Sequence, residues 1–196
     1  MTQQYAQRED LPDPRADVVA LLKQQHGEIR NLFDEVERAT GADRGEAFRR
    51  LMRMLAIHET AEQEIVHPFV QRTVSGGAGV VRDRLREEES AKRILTRLDS
   101  MDTEHPEFLT ELNSLRTEVL THARAEERYE FTHLYRAASA EQLARLAKGV
   151  RAAEAVAPTH PHPEVQGAGA NLALGPLAAL IDRTRDAIRS ATGEGR

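Results

Sequence analysis

Residues 51–69 read LMRMLAIHETAEQEIVHPF, a run with no Gly and with Pro only at its next-to-last position. Projected at about 100° per residue, Leu51, Leu55, Ile65 and Phe69 fall within roughly 60° of arc around His58 and Glu62. His58 and Glu62 stand four residues apart, one helical turn above each other on the same face. An imidazole and a carboxylate aimed from one apolar face at one point have the geometry of ligands. The run predicts a long helix that buries a polar pair, so further helices must surround that pair.

The same arrangement recurs in HARAE at 122–126, where His122 and Glu126 lie on the stripe of Leu115 and Val119. Chain punctuation shows how many helices enclose the two motifs. Asp13-Pro14 opens a first helix, and Thr40-Gly41-Ala42-Asp43 closes it and caps a second that runs from about Arg44 to Thr73. Ser75-Gly76-Gly77-Ala78-Gly79 breaks the chain; a third helix runs from about Val80 to Met101 and a fourth from about Pro106 to Ala138. Short connections between long helices make antiparallel neighbours, so the expected fold is all-α, an up-down-up-down four-helix bundle over 14–138. Ser139 and Gln142 form a capping box for a shorter helix reaching about Val156, which Pro158, Pro161 and Pro163 stop. PLAALIDRTRDAIRS near the end is a further amphipathic helix expected to dock on the bundle. Residues 1–13 read as a flexible N-terminus, and 139–196 as a C-terminal extension.

The first and third helices each add one inward polar residue. His26 lies on the stripe of Val19, Leu22, Ile29 and Phe33; Glu88 sits at the centre of Val81, Leu85, Ala91 and Leu95, with Glu87 and Glu89 to either side. A lone inward His is more often a hydrogen-bonded core residue than a ligand, and one HxxxE match is weak. The combination is not weak, because each buried carboxylate left without a partner costs several kcal/mol. A structural ion pair would need an inward Arg or Lys for each Glu, and Arg84 and Lys92 could serve Glu88 at best. The expected metal ligands are therefore His26, His58, Glu62, Glu88, His122 and Glu126. His67, nine residues after His58, projects to the opposite side of its helix. His133 is too far along the axis, His105 lies in a turn, and His160 and His162 lie in a Pro-rich loop, so all five stay outside the expected site.

Composition narrows the chemistry. The chain has 196 residues and no Cys, which removes disulfides, thiolate zinc sites and iron–sulfur clusters. A net charge of −5 without a basic arm argues against nucleic-acid or anionic-membrane partners. The polar N-terminal stretch has no signal-peptide core and no apolar run is long enough to span a bilayer, so a cytoplasmic location is expected.

The pattern of His26, His58 with Glu62, a helix-three ligand, and His122 with Glu126 resembles the hemerythrin-like (HHE cation-binding) family. The surrounding LLKQQHGEIRNLFDEV, HETAEQEIVHPFV and HARAEERYEF agree with it. The Pro-rich stretch and terminal helix resemble a C-terminal extension of actinobacterial members. The resemblance implies a four-helix bundle around two non-haem iron ions joined by an oxo or hydroxo bridge. Where such proteins usually carry His on helix three, this chain has Glu88. Anionic oxygen donors favour ferric iron, which speaks against reversible oxygen carriage.

Six ligands leave open positions on two octahedral ions, so the expected function is binding or turnover of peroxide, dioxygen or nitric oxide, with catalase-like breakdown of peroxide foremost. Iron or oxygen sensing and metal storage are the alternatives. Helix direction places Val19, Ile65, Val81 and Tyr129 in one layer beside the site, and Phe33, Leu51, Leu95 and Leu115 in the other. The first layer holds the one polar group, so Tyr129 is expected to point inward and donate a hydrogen bond to a bound small molecule or a ligand carboxylate.

Overall fold

The computed structural model describes residues 17–155 and 175–192. Residues 1–16, including the expected flexible stretch and the Asp13-Pro14 helix start, lie outside these, as do His160 and His162. Every described element is a helix. We label them α1 (Val18–Arg38), α2 (Gly41–Ala61, continuing through Glu62–Val66 and His67–Thr73), α3 (Gly77–Asp99), α4 (Phe108–Ala125, continuing through Glu126–Glu130 and Phe131–Ala137), α5 (Ala140–Ala155) and α6 (Gly175–Thr192). No described helix is long and apolar enough to cross a membrane.

Local chemistry sets the helix ends. Asp17 caps α1 by accepting from the Val19 N–H at 2.8 Å. The break before α3 depends on two glycines for different reasons. Gly76 takes φ +76°, and a Cβ on Gly77 would lie 2.2 Å from the Val70 carbonyl oxygen. The capping box at α5 is reciprocal: the Ser139 N–H donates to Gln142 Oε1 at 2.7 Å and the Gln142 N–H to Ser139 Oγ at 3.2 Å.

Helices α1 to α4 form the antiparallel bundle, and its core is divided in two. Ile29, Phe33, Val36, Phe48, Leu51, Leu98, Phe108 and Leu115 fill one end. Val18, Leu22, Ile65, Val66, Val81, Phe131 and Leu134 fill the other, where Leu143, Ala147 and Val150 of α5 and Leu180 and Ile188 of α6 complete the cluster. His26 and His58 lie between these apolar masses, His26 between Leu22 and Ile29 on α1, and His58 between Leu55 and Ile65 on α2.

The feature that sets the register of the site is a π-helical turn in each HxxxE-bearing helix. It begins at the motif's own glutamate, Glu62–Val66 in α2 and Glu126–Glu130 in α4. The His67 N–H reaches the Glu62 carbonyl and the Phe131 N–H the Glu126 carbonyl, five residues back instead of four. Each turn thus accommodates one extra residue and rotates everything after it by about 100° relative to a plain α-helix.

Candidate metal centre

His26, His58, Glu62 and Glu126, all buried, each offer one ligand atom, and these atoms lie within 4.8 Å of one another. His26 Nε2 is 3.3 Å from Glu126 Oε2, His58 Nε2 is 3.5 Å from Glu62 Oε2, and His122 Nε2 is 3.3 Å from Glu126 Oε1. Three helices converge here because the HxxxE spacing stacks His over Glu on α2 and on α4, while His26 faces both from α1.

The imidazoles are oriented by their outer nitrogens. His26 Nδ1–H donates to Glu127 Oε1 at 2.9 Å, His122 Nδ1–H to Glu87 Oε2 at 3.0 Å, and His58 Nδ1–H to Gln25 Oε1 at 2.8 Å. Ionised carboxylates and amide oxygens only accept, so these bonds place a proton on Nδ1 and leave Nε2 facing inward, free to bind a cation once it carries no proton. The inner atoms have no comparable partners: His26 Nε2, His122 Nε2 and all four carboxylate oxygens of Glu62 and Glu126 are buried without a hydrogen bond. Orphaned acceptors converging on one point from rings oriented in this way fit a cation.

Electrostatics agree. Burial and then repulsion from Glu126, Glu130, Glu88 and Glu59 hold the Glu62 carboxyl well above its ordinary range. Burial also opposes charge on Glu126, but the His122 charge and its other imidazole neighbours outweigh it and push that carboxyl well below. Burial and the neighbouring His26 pull His58 down to about 3, so it stays neutral. His122 is buried too, yet the attraction of the Glu126 carboxylate 3.3 Å away and the hydrogen bond to Glu87 raise it to about 11. Without metal the centre must retain protons to keep two adjacent carboxylates buried, and a cation would take the place of those protons.

Residues 17–134 match the sequence profile of the hemerythrin HHE cation-binding domain. The chain belongs to this hemerythrin HHE family. It is similar to an uncharacterized hemerythrin-like protein of Schizosaccharomyces pombe, 24% identical over 165 residues, covering 82% of this chain and 81% of that one. A DNA nickase of Nostoc is 26% identical over 135 residues, 68% of this chain, but the chain spans only 38% of that protein's length. Among solved structures, a hemerythrin HHE domain-containing protein of Mycobacterium kansasii superposes with a TM-score of 0.64 at 20% identity, covering 89% of this chain and 98% of that one. At that identity the likeness is one of fold.

Within this hemerythrin-like frame, the structure departs from the sequence projection at His67, Leu85 and Tyr129. His67 does not face away: it is buried, 3% exposed. The π-turn before it removes about one residue's rotation from the nine-residue separation from His58 and brings the ring inward. Its Nε2 meets Glu88 Oε1 at 2.7 Å and its Nδ1 meets Glu130 Oε1 at 2.9 Å. Burial opposes its charge, but the two carboxylates outweigh burial and hold His67 up at about 9, an imidazolium between two anions.

Glu88 is central on α3 as projected, but its oxygens are engaged by His67 and by the Gln63 amide, so it stands outside the converging group. Expected as a metal ligand, Glu88 is paired with the His67 imidazolium, and Arg84, a candidate partner for it in the sequence, donates to Glu87 at 2.9 Å instead. Leu85, placed on the inward stripe by projection, is 41% exposed, and the buried residues of α3 include Arg84 in its stead.

Tyr129 is the third departure. It is 50% exposed with the Arg128 guanidinium over its ring, so it neither points inward nor shares a layer with Val19, Ile65 and Val81. The α4 π-turn advances the register by one residue, and Glu130, fully buried, takes the inward place. That end of the bundle is in any case covered by α5 and α6. On the side of the bundle lies a cleft of about 660 Å³ between α2 and α3, with Glu59, Gln63 and Glu88 in its wall and Arg82, Arg86, Lys92 and Arg93 around it. Burial and the nearby Glu88 raise the Glu59 carboxyl to about 8.

Sequence reasoning passed over Gln25, His67, Glu87, Glu127 and Glu130. One signal marked the register change. Phe131 and Leu134 project away from His122 on a plain helix, yet they are apolar and belong to the core; a stripe that jumps by one residue after an inward Glu is the trace of a π-turn.

Proposed function

We propose that this chain binds a pair of non-haem iron ions between His26, His58, His122, Glu62 and Glu126 and turns over a small oxidant, peroxide foremost. The supporting observation is the orientation of the three imidazoles, each with Nδ1–H committed outward and the inner face left to orphaned carboxylates. Glu62 and Glu126 lie among the imidazoles and would hold the ions together with them. The ions would supply Lewis acidity and a reversible ferrous–ferric couple.

The chain's own residues supply the rest. The mixed donor set of His and Glu suits iron better than a soft thiophilic metal. Peroxide breakdown needs protons held close by, and His67 holds one at Nδ1 toward Glu130 and one at Nε2 toward Glu88. Glu130 Oε2 is buried without a hydrogen-bond partner, on the carboxylate that already accepts from His67. The side cleft at Glu59, Gln63 and Glu88 would be the approach for small polar molecules, since both ends of the bundle are filled by apolar side chains.

Anaerobic ferrous loading followed by exposure to air should yield close to two irons per chain and the near-ultraviolet charge transfer of a bridged ferric pair. Added peroxide should then disappear catalytically. Metal content near zero defeats the reading altogether, and stoichiometric oxidation without turnover leaves metal storage or sensing in its place.

A further inference from the structure

Two of the three imidazoles at the centre pass Nδ1–H directly to a carboxylate, His26 to Glu127 and His122 to Glu87. The third, His58, donates to an amide, Gln25. Gln25 is buried, 1% exposed, and its Nε2–H continues to Glu154 Oε1 at 2.7 Å. An amide accepts at one end while donating at the other, and an anion drawing on its N–H makes its carbonyl oxygen a stronger acceptor. Every imidazole of the centre is therefore backed by a carboxylate, and one of them through a relay. The carboxylate at the end of the relay lies on α5, beyond the residues that match the family profile.

We propose that Glu154 is a positioning residue for the metal ligand His58, acting through Gln25, so that the C-terminal helix pair forms part of the metal centre. This rests on the metal-binding reading above, though not on turnover. The packing holds Glu154 in place. Ala147, Val150 and Ala153 of α5 are buried in the same cluster as Val18, Leu21 and Leu22 of α1. Gly149 lets α5 come close to α2, since a Cβ there would lie 2.7 Å from Ile65 Cδ1. The second helix of the pair also reaches a ligand-bearing stretch: Arg185 Nε–H of α6 donates to Glu64 Oε1 at 2.8 Å, inside the π-turn that begins at Glu62. Linkage is reciprocal, so a helix pair that raises metal affinity is itself held more firmly when metal binds.

The test uses the full chain and Co²⁺, whose affinity is read by competition with a chromophoric chelator and whose visible bands report the ligand field. Gln25→Met, similar in shape but unable to accept or donate, should weaken binding about 10- to 100-fold. Glu154→Gln keeps an acceptor in the same place and removes only the charge; it should cost a smaller share, about three- to tenfold, and shift the Co²⁺ bands. In the Gln25→Met background the same Glu154→Gln change should cost nothing, because the path is already broken. Hydrogen exchange in α5 should slow on Co²⁺ loading of the unaltered chain, and respond less in Gln25→Met. An unchanged affinity for Glu154→Gln, or an equal loss in both backgrounds, overturns the relay and leaves metal binding standing. An unaltered chain that takes up no Co²⁺ overturns the metal-binding reading itself.

Discussion

Replacing His67 with glutamine removes the one buried cation that stands between Glu88 and Glu130 while keeping a side chain able to donate. In the folded chain His67 is held at about 9 against an ordinary 6.5, so its pairing is worth on the order of 3 kcal/mol of stability. The sign follows from the direction. A folded-state value above the unfolded one means that the contribution is fully present below about pH 6.5, declines as the unfolded chain loses its proton, and is gone once pH has risen through about 9. Urea unfolding of the metal-free chain and of His67→Gln across pH 6 to 10 reads this contribution together with a smaller one from Glu59, which titrates in both proteins, is raised to about 8 and loses the lowering influence of the His67 charge in the variant. The unaltered chain should be the more stable at pH 6, and the gap should shrink by a few kcal/mol by pH 10. A gap that stays constant with pH means that His67 is neutral when folded, and the ion-pair account of Glu88 then fails with it.

Glu88→Gln should leave the first equivalent of iron bound at His26, His58, Glu62 and Glu126, since Glu88 is outside that group, whereas Glu62→Ala should lose metal entirely; loss of all iron in Glu88→Gln would return Glu88 to the centre. Tyr129→Phe should leave iron loading and peroxide turnover unchanged, because the ring is half exposed, and a slowed turnover would refute its placement outside the site. Gly77→Ala should lower thermal stability by about 1 to 3 kcal/mol, as its Cβ would meet the Val70 carbonyl at 2.2 Å; a neutral result would mean that the turn before α3 relaxes freely.

Much of the centre was legible because helix geometry is local. The spacing of four in His58–Glu62 and His122–Glu126, together with the flanking Leu51, Leu55, Leu115 and Val119, needs only the period of the α-helix to place those four side chains inward. His26 was readable in the same way from Val19, Leu22, Ile29 and Phe33. These residues precede or begin the π-turns, so no register error had yet accumulated.

Beyond Glu62 and Glu126 the same projection misplaced His67 and Tyr129 and overlooked Glu130, because a π-turn adds one residue without any composition of its own. Whether it forms depends on the gain from burying Val66, Phe131 and Leu134 and from pairing His67 with two carboxylates, and those partners come from other helices. The link from Glu154 through Gln25 to His58 crosses 129 residues of sequence in one of its bonds and rests on how closely α5 packs against α1 and α2. The sequence by itself determined the helical class, the two HxxxE motifs and the inward His26, since each follows from a period within one helix. The tertiary structure alone decided which carboxylate takes His67, which residues orient each imidazole and where the bundle is open, because those outcomes depend on contacts between helices.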